Sequence, residues 1–539
     1  MYTPAATVEQ HLREHRERPM ILCEYAHCMG NSFGAVDRYI DLAYREPLFQ
    51  GAFIWDFADQ AILARDRYDS PFFAYGGDCG EAPHDGDFSG NGILFADHTP
   101  KPALAEVKAL YAKIVVEVGD ATADGIEVQV TNRNLFTSTA AWDCCWDIHQ
   151  LGVSINSGMI PTDIAPGETA TVTIPATLPT EDGEYVVTVS FHTRVDSAWA
   201  EAGHEVARGQ RAITVGRGNS LPADRVLRTA AGSFAHLRPG VRPLRVVNST
   251  HNIGVIGEHF RVLFSRLSGG IVAYQFGRGI DGGRNMLRRV PQPTFWHAPT
   301  SNERGAKIMA EDGAWLLASR YATVVDDQEF PRVEHVGDAV AVTFKHLLPV
   351  GEDTHCLVTY RVNPDSRIDV EMTLHVGGDD VADLPEFSME WVGSADLEHL
   401  TWYGHGPHET MSDRRAGADL DVHHSSVSDQ YTPYIRPQEC GNHTGVRWAA
   451  VCDDAGWGLK FSGEDLEFSA LHWSAFELEN ATHHTELPPA HFTHMRVSLT
   501  RRGAGGDDSW GARTHPEFCL PARDGLTLRF SVECIRQLS

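Results

Sequence analysis

The sequence predicts a multidomain, mostly β protein in which a short α/β segment precedes two antiparallel β-sandwiches. Three observations carry this. The chain has 539 residues, more than one hydrophobic core ordinarily supports, so two to four domains are expected. Strands alternate with helices only over roughly the first 110 residues. Beyond residue 113 the apolar pattern switches to period two, in short runs separated by Gly, Pro, Asp and Thr.

The elements follow in order. "RPMILCEY" reads as a short, buried parallel strand ending near Cys23, and "GAFIWDF" as a second one. Between them Asn31 and Ser32 can cap a helix on which Phe33, Val36, Ile40 and Ala43 recur at helical spacing. Trp55 lies 31 residues after Glu24, an interval that suits one strand–helix–strand unit. After a Gly-rich, aromatic stretch, "TPKPALAEVKALYAKI" predicts a helix with Pro near its start. Two strands and two helices are too few to close a parallel barrel or complete a doubly wound sheet, which need about eight and about five strands. Residues 114–216 hold "KIVVEV", "GIEVQV", "TATVTI", "EYVVTVSF" and "RAITV", the spacing of an immunoglobulin-like sandwich. A Gly-, Arg-, Ser- and Pro-rich linker is expected over 217–240, and one large antiparallel sandwich over 241–539, where "HCLVTYRV", "RIDVEMTLHV" and "TLRFSVECI" alternate without long helices.

Composition narrows the function. Forty-five basic against 73 acidic residues give a net charge of −28, which repels phosphate backbones and anionic lipid, so neither nucleic acid nor membrane is an expected partner. No apolar run approaches the roughly 18 residues of a membrane span. The ten cysteines are scattered, with no secretory leader ahead of them and no zinc-ligand spacing, and are read as reduced thiols of a cytoplasmic protein.

The stretch "ILCEYAHCMGNS" carries the chemistry, because Glu24 falls at the C-terminal end of a parallel strand, where α/β enzymes hold their sites. From position alone it is a nucleophile, a general base, or a carboxylate satisfied by an Arg or by helix N–H groups. Tyr25, His27, Asn31 and Trp55 add an aromatic platform and neutral hydrogen-bonding groups, a combination that suits the apolar faces and hydroxyls of a sugar.

These residues resemble the C-terminal half of a long bacterial β-galactosidase, a retaining glycoside hydrolase of family 2. "ILCEYAHCMGNS" resembles its nucleophile motif, "GAFIWDFADQ" the next strand, and "DFSGNGILFADHTPKPAL" the loop and helix that close its barrel. "WYGHGPHETMSDR", "YTPYIRPQECGNHTGVRW" and "GGDDSW" resemble segments of its large final sandwich. The resemblance implies that residues 1–113 are the last quarter of a (β/α)8 catalytic barrel and that the Met-Tyr at the start is internal to the family's barrel. It implies that Glu24 is the nucleophile, Tyr2 orients it, His27 binds galactose and Trp55 lies on the floor of the pocket. Phe88, through its carbonyl, and Asn91 are implied ligands of a sodium ion that binds the sugar's 6-hydroxyl, and Trp510 is the implied aromatic of the aglycone subsite. Each has a plainer alternative: Trp55 and Trp510 as core aromatics, His27 bonded to a backbone carbonyl, Asn91 as a turn residue.

Retaining hydrolysis also needs an acid/base carboxyl about 5–5.5 Å from the nucleophile. In the family this is a Glu after an Asn, several strands earlier. The Asn302-Glu303 pair lies outside the barrel region and is not expected to serve, and the segment 295–305 departs from the family's acidic pattern at Ser301 and Glu303. The acid/base and the magnesium ligands of the complete enzyme are therefore expected in a complementary N-terminal portion, without which strand faces and a sheet edge stay open. A homo-oligomer is a further expected partner class. A non-catalytic remnant or carbohydrate-binding sandwich, and a β-glucuronidase or β-mannosidase, are the competing readings.

Overall fold

The computed structural model describes residues 1–122, 124–216, 226–229, 232–236, 243–277, 284–378 and 381–538. The N-terminal segment runs α1 (Ala5–Glu14), β1 (Met20–Tyr25), α2 (Asp37–Arg45), β2 (Phe49–Ile54), a hairpin of β3 (Ile62–Arg65) and β4 (Pro71–Ala74), and α3 (Pro102–Leu110). β1 and β2 pair in parallel, with Leu22 opposite Ala52 and Tyr25 opposite Ile54. The chain after β2 continues beside 91–94: Asp56 N–H donates to the Asn91 carbonyl at 2.6 Å and Leu94 N–H to the Phe57 carbonyl at 3.1 Å. α3 opens with Pro at its first turn, where no N–H is missed. Val8, Leu12, Leu22, Tyr25, Phe33 and Leu42 form the core between helices and strands.

Although both strands read as buried, Ile21 and Phe53 are 58% and 66% exposed, the open strand faces expected of a barrel piece without its complementary portion. One expectation for this segment is corrected: Asn31 and Ser32 do not cap α2, which begins at Asp37 with Val36 at the cap position and no side-chain cap bond. Residues 31–36 are instead a loop pinned by the large sandwich, with Phe33 at φ +74° and Ala35 at φ +57°.

The second unit has seven strands: β5 (Ile114–Thr122), β6 (Gly125–Asn132), β7 (Trp142–Gln150), β8 (Val153–Ile160), β9 (Thr169–Ile174), β10 (Gly183–Thr193) and β11 (Glu205–Val215). They form a three-stranded sheet β5–β6–β9 and a four-stranded sheet β11–β10–β7–β8, closed over Val128, Val130, Ile148, Val187, Val189 and Phe191. Every pairing in it is antiparallel.

Among the described residues the remainder forms a fifteen-stranded antiparallel sheet with a five-stranded companion around Trp315, Trp391, Trp402, Tyr360 and Phe264. Most of the expected 217–240 linker lies outside the described residues. Within it Val226–Thr229 and Gly232–His236 form a hairpin whose second strand pairs with Leu526–Leu538 of the large sheet, so this stretch is not linker alone. α4 (Ser301–Ala306) and α5 (Met309–Tyr321) interrupt the strands. All ten cysteines are free thiols, and no helix among the described residues is long and apolar enough to cross a membrane.

Candidate active site

β1 delivers Glu24 to its C-terminal end, where Tyr2 meets it twice. The Tyr2 N–H donates to the Glu24 carbonyl at 3.1 Å, and the Tyr2 hydroxyl donates to Glu24 Oε2 at 2.7 Å. Burial, then the hydrogen bond and charge of Glu24, push the Tyr2 phenol well above its ordinary acidity range, so it remains a proton donor.

Ala26, at φ +50°, turns the chain after β1 and aims His27 inward. The His27 ring stacks on Phe88 at 5.1 Å and meets Trp510 edge-on at 5.2 Å and Tyr2 at 5.7 Å, while Tyr2 and Trp510 lie 4.8 Å apart. Its Nδ1 is 2.8 Å from Ser509 Oγ and its Nε2 3.3 Å from Asn91 Nδ2. Burial pulls the imidazole down to about 4, against the opposing charges of Asp508, Glu24 and Asp56, so His27 is neutral near neutral pH.

Asn91 sits on the 90–94 turn, which hangs on a buried ion pair. Lys101 Nζ lies 2.6 Å from Asp59 Oδ1, and the same oxygen accepts the Gly92 N–H at 2.8 Å. Asn91 Nδ2 donates to the Phe88 carbonyl at 3.1 Å, while Asn91 Oδ1 is buried with no donor among the described residues. A buried amide oxygen left without a donor, close to a backbone carbonyl, is a donor set suited to a hard cation.

The structure thus brings Tyr2, Glu24, His27, Phe88, Asn91 and Trp510 together. Trp55 joins through its backbone, accepting from Cys28 N–H at 2.8 Å and donating to Tyr25 O at 3.2 Å. Its side chain is 37% exposed, and among the described residues its ring makes none of the cluster's aromatic contacts. Asn302 and Glu303 are otherwise engaged. Glu303 is buried and closes the capping box of α4. Burial opposes its ionisation, but His297 at 2.9 Å and Arg502 hold it down at about 2.

Sequence reasoning missed the wall behind this cluster. Gln438 Oε1 accepts the Asn31 and Ser301 N–H groups, each at 3.0 Å, and Asn31 Nδ2 donates to the Glu439 carbonyl at 2.8 Å. Arg414 donates to the Ser32 carbonyl at 2.6 Å, and Gly34 N–H to the Gly505 carbonyl at 2.6 Å. Gly30, at φ +61°, has no room for a side chain, since a Cβ would lie 2.5 Å from the Gln438 amide. These partners lie within or beside the quoted motifs, but more than 380 residues from the loop they hold, and no local pattern pairs them.

Comparison with known proteins bears on the whole chain. Residues 2–116 match the family model described as glycosyl hydrolases family 2, TIM barrel domain, and 128–214 that of β-galactosidase, domain 4. Residues 256–533, more than half of the chain, match the model described as β-galactosidase small chain. The chain belongs to this β-galactosidase family. Among its relatives, β-galactosidases of Halalkalibacterium halodurans and Streptococcus thermophilus are each 36% identical to it, over 540 and 519 residues. A protein named β-galactosidase BgaC from Bifidobacterium adolescentis is 37% identical over 551 residues. These alignments cover 99%, 96% and 99% of this chain but 50%, 47% and 50% of the relatives, so the chain spans about half the length of the curated relatives it matches. The resemblance to the C-terminal half of a β-galactosidase, and the multidomain, mostly β class, both hold.

Proposed function

We propose that this chain carries the nucleophile of a retaining β-galactosidase and, with a complementary N-terminal portion, hydrolyses terminal β-D-galactosides such as lactose. The observation that carries the reading is the Glu24 carboxylate at the end of a parallel strand, held by the Tyr2 hydroxyl at 2.7 Å within the aromatic group of His27, Phe88 and Trp510.

Glu24 attacks the anomeric carbon, and the bond from that carbon to the leaving oxygen breaks while the acid/base carboxyl of the complementary portion protonates that oxygen. The same group then takes a proton from water, whose oxygen attacks the anomeric carbon, releases Glu24 and leaves the configuration retained. Tyr2 occupies Oε2 and so leaves Oε1 to attack; a permanently protonated phenol also steadies the carboxylate without competing for the proton. Neutral His27, by orienting the Asn91 amide, and exposed Trp55 offer the sugar a fixed polar group and an apolar face. The Phe88 carbonyl and Asn91 Oδ1 would supply part of a sodium site, completed by an aspartate of the complementary portion, and the ion would supply positive charge to orient a sugar hydroxyl. Magnesium ligands belong, on this reading, to the complementary portion. The same reading places the protein in the cytoplasm, in keeping with ten free thiols, and as a homo-oligomer, which light scattering on the complemented enzyme would measure.

The test is to assay a chromogenic β-galactoside with this chain alone and after adding the N-terminal portion of a relative such as the Halalkalibacterium halodurans enzyme. Activity is expected on mixing and is expected to vanish in Glu24→Gln, while an activated 2-fluoro-galactoside labels the Glu24 peptide in mass spectrometry. No turnover in either state, or full activity in Glu24→Gln, refutes the reading.

A further inference from the structure

Two backbone carbonyls fix the direction of a buried hydrogen-bond chain that runs through His27. At one end Asn302 Nδ2 lies 2.9 Å from the Ala504 carbonyl. A carbonyl only accepts, so this amide cannot be reversed, and Asn302 Oδ1 faces Ser509 Oγ at 2.6 Å. The single Ser509 proton therefore goes to Asn302, which leaves Ser509 only lone pairs to offer His27 Nδ1 at 2.8 Å. That ring nitrogen must carry the proton.

The other end leads to the same answer independently. Asn91 Nδ2 lies 3.1 Å from the Phe88 carbonyl, which fixes this amide in turn, and the same NH2 points at His27 Nε2 at 3.3 Å. A donor facing Nε2 requires it to be the bare nitrogen. His27, Asn91, Asn302 and Ser509 are 1%, 4%, 5% and 4% exposed, so water competes little for these bonds.

We propose that Asn302 and Ser509 are positioning residues that lock His27 in its Nδ1–H tautomer, so that Nε2 accepts from the Asn91 NH2 and Asn91 keeps its oxygen free. With the opposite tautomer, Nε2–H would confront the Asn91 NH2. The amide would have to reverse, setting its oxygen against the Phe88 carbonyl and its NH2 where Oδ1 now stands unpaired. The tautomer thereby decides whether Asn91 offers an oxygen or a donor to a cation or sugar hydroxyl. This rests on the proposed hydrolase only for what meets Asn91 Oδ1.

Long-range proton–nitrogen correlation on the full chain labelled with 15N-histidine tests it, His27 being assigned from the signal lost in His27→Gln. Protonated Nδ1 and bare Nε2 are expected; a protonated Nε2 or an even mixture overturns the proposal. Ser509→Ala is expected to move His27 toward the Nε2–H form and Ser509→Thr to restore it, and an unchanged tautomer in Ser509→Ala refutes the relay. Asn302→Ala, which frees the Ser509 proton for His27 Nδ1, is expected to raise the Nε2–H fraction and reads the relay even where Ser509→Ala does not fold; an unchanged tautomer there counts against it. None of these readouts needs turnover. No turnover after complementation, with the expected spectra, removes the hydrolase and leaves the relay, while an active complemented enzyme with Nε2–H removes the relay alone.

Discussion

Replacing Lys101 with Met tests whether the turn that carries Asn91 depends on one buried charge. Lys101 and Asp59 are 1% and 3% exposed at the side chain and 2.6 Å apart, and Asp59 Oδ1 also takes the Gly92 N–H. Met keeps the length and apolar stem but leaves a buried carboxylate whose remaining hydrogen bond, among the described residues, is from Gly92. Removing one partner of such a pair costs about 3–5 kcal/mol, which is roughly two to three and a half powers of ten in the local opening constant. Burial already raises the Asp59 carboxyl, with Lys101 as the largest opposing influence, so the variant's deficit should be greatest at high pH and shrink as Asp59 protonates. Hydrogen–deuterium exchange of a peptide spanning 88–96 reads this directly, with peptides of β10 as an unaffected control. Lys101→Met combined with Asp59→Asn removes the stranded charge while keeping an acceptor for Gly92, and protection should return to within about tenfold of the native chain. Exchange that stays within about threefold of native in Lys101→Met would refute the reasoning, since an unpaired buried carboxylate cannot be that cheap.

Three further outcomes are expected. Tyr2→Phe keeps the ring packing but removes a hydrogen bond to a charged oxygen worth about 1.5–3 kcal/mol, so kcat/KM of the complemented enzyme should fall roughly ten- to a hundredfold; a change below about threefold counts against an orienting role. Gly30→Ala combines a positive φ with a Cβ placed 2.5 Å from the Gln438 amide, and should destabilise by about 1–3 kcal/mol and loosen amide protection over 26–36, while native protection there would show that the loop tolerates the shift. Glu303 is held at about 2 in the folded state against about 4.3 unfolded, so its stabilisation is present above about 4.3 and lost as pH falls through about 2. His297, whose value is raised by Glu303 against the effect of burial, stabilises below its unfolded value and loses that as pH rises. Denaturant titrations should show the margin of native chain over Glu303→Gln shrinking across that acid range; a margin that stays constant excludes the assignment.

What was legible in the sequence is what short-range patterning controls. Period-two runs located five of the seven strands of the middle sandwich, and the apolar run before Glu24 located the strand that delivers the carboxylate. β7, "WDCCWDIHQ", escaped because Asp and Cys blur its alternation, although Cys144, Trp146 and Ile148 face the core. α2 was placed too early for a different reason. Asn31 and Ser32 have good capping chemistry, but the Asn31 side chain goes to the Glu439 carbonyl and the Ser32 carbonyl to Arg414, so tertiary partners outbid the local cap. Ser509 and Asn302 were invisible as neighbours of His27, because a contact spanning 482 residues leaves no periodic trace.

The loop that presents His27 is not a property of the βα segment alone. Ala26, Phe33 and Ala35 all adopt positive φ at 50°, 74° and 57°, a conformation that costs a non-glycine residue roughly 1–2 kcal/mol. Three such residues within ten positions would relax in an isolated βα unit. They persist because the large sandwich supplies what the strained backbone needs: the Gly505 carbonyl for Gly34, the Asp413 carbonyl for Ala35, and Arg414 for the Ser32 carbonyl. Asp413 is itself fixed by the Ala504 and Gly505 N–H groups, at 2.9 and 2.8 Å, and Glu439 is gripped by Arg496 and Arg501 in the sandwich core. Breaking that buried ionic group would therefore reach the site through the loop's backbone, without touching Glu24. It follows that the large sandwich is the template on which the loop after the nucleophile is set, and the aromatic it lends, Trp510, is held on the same stretch of chain, 502–510, as the carbonyl that fixes Asn302.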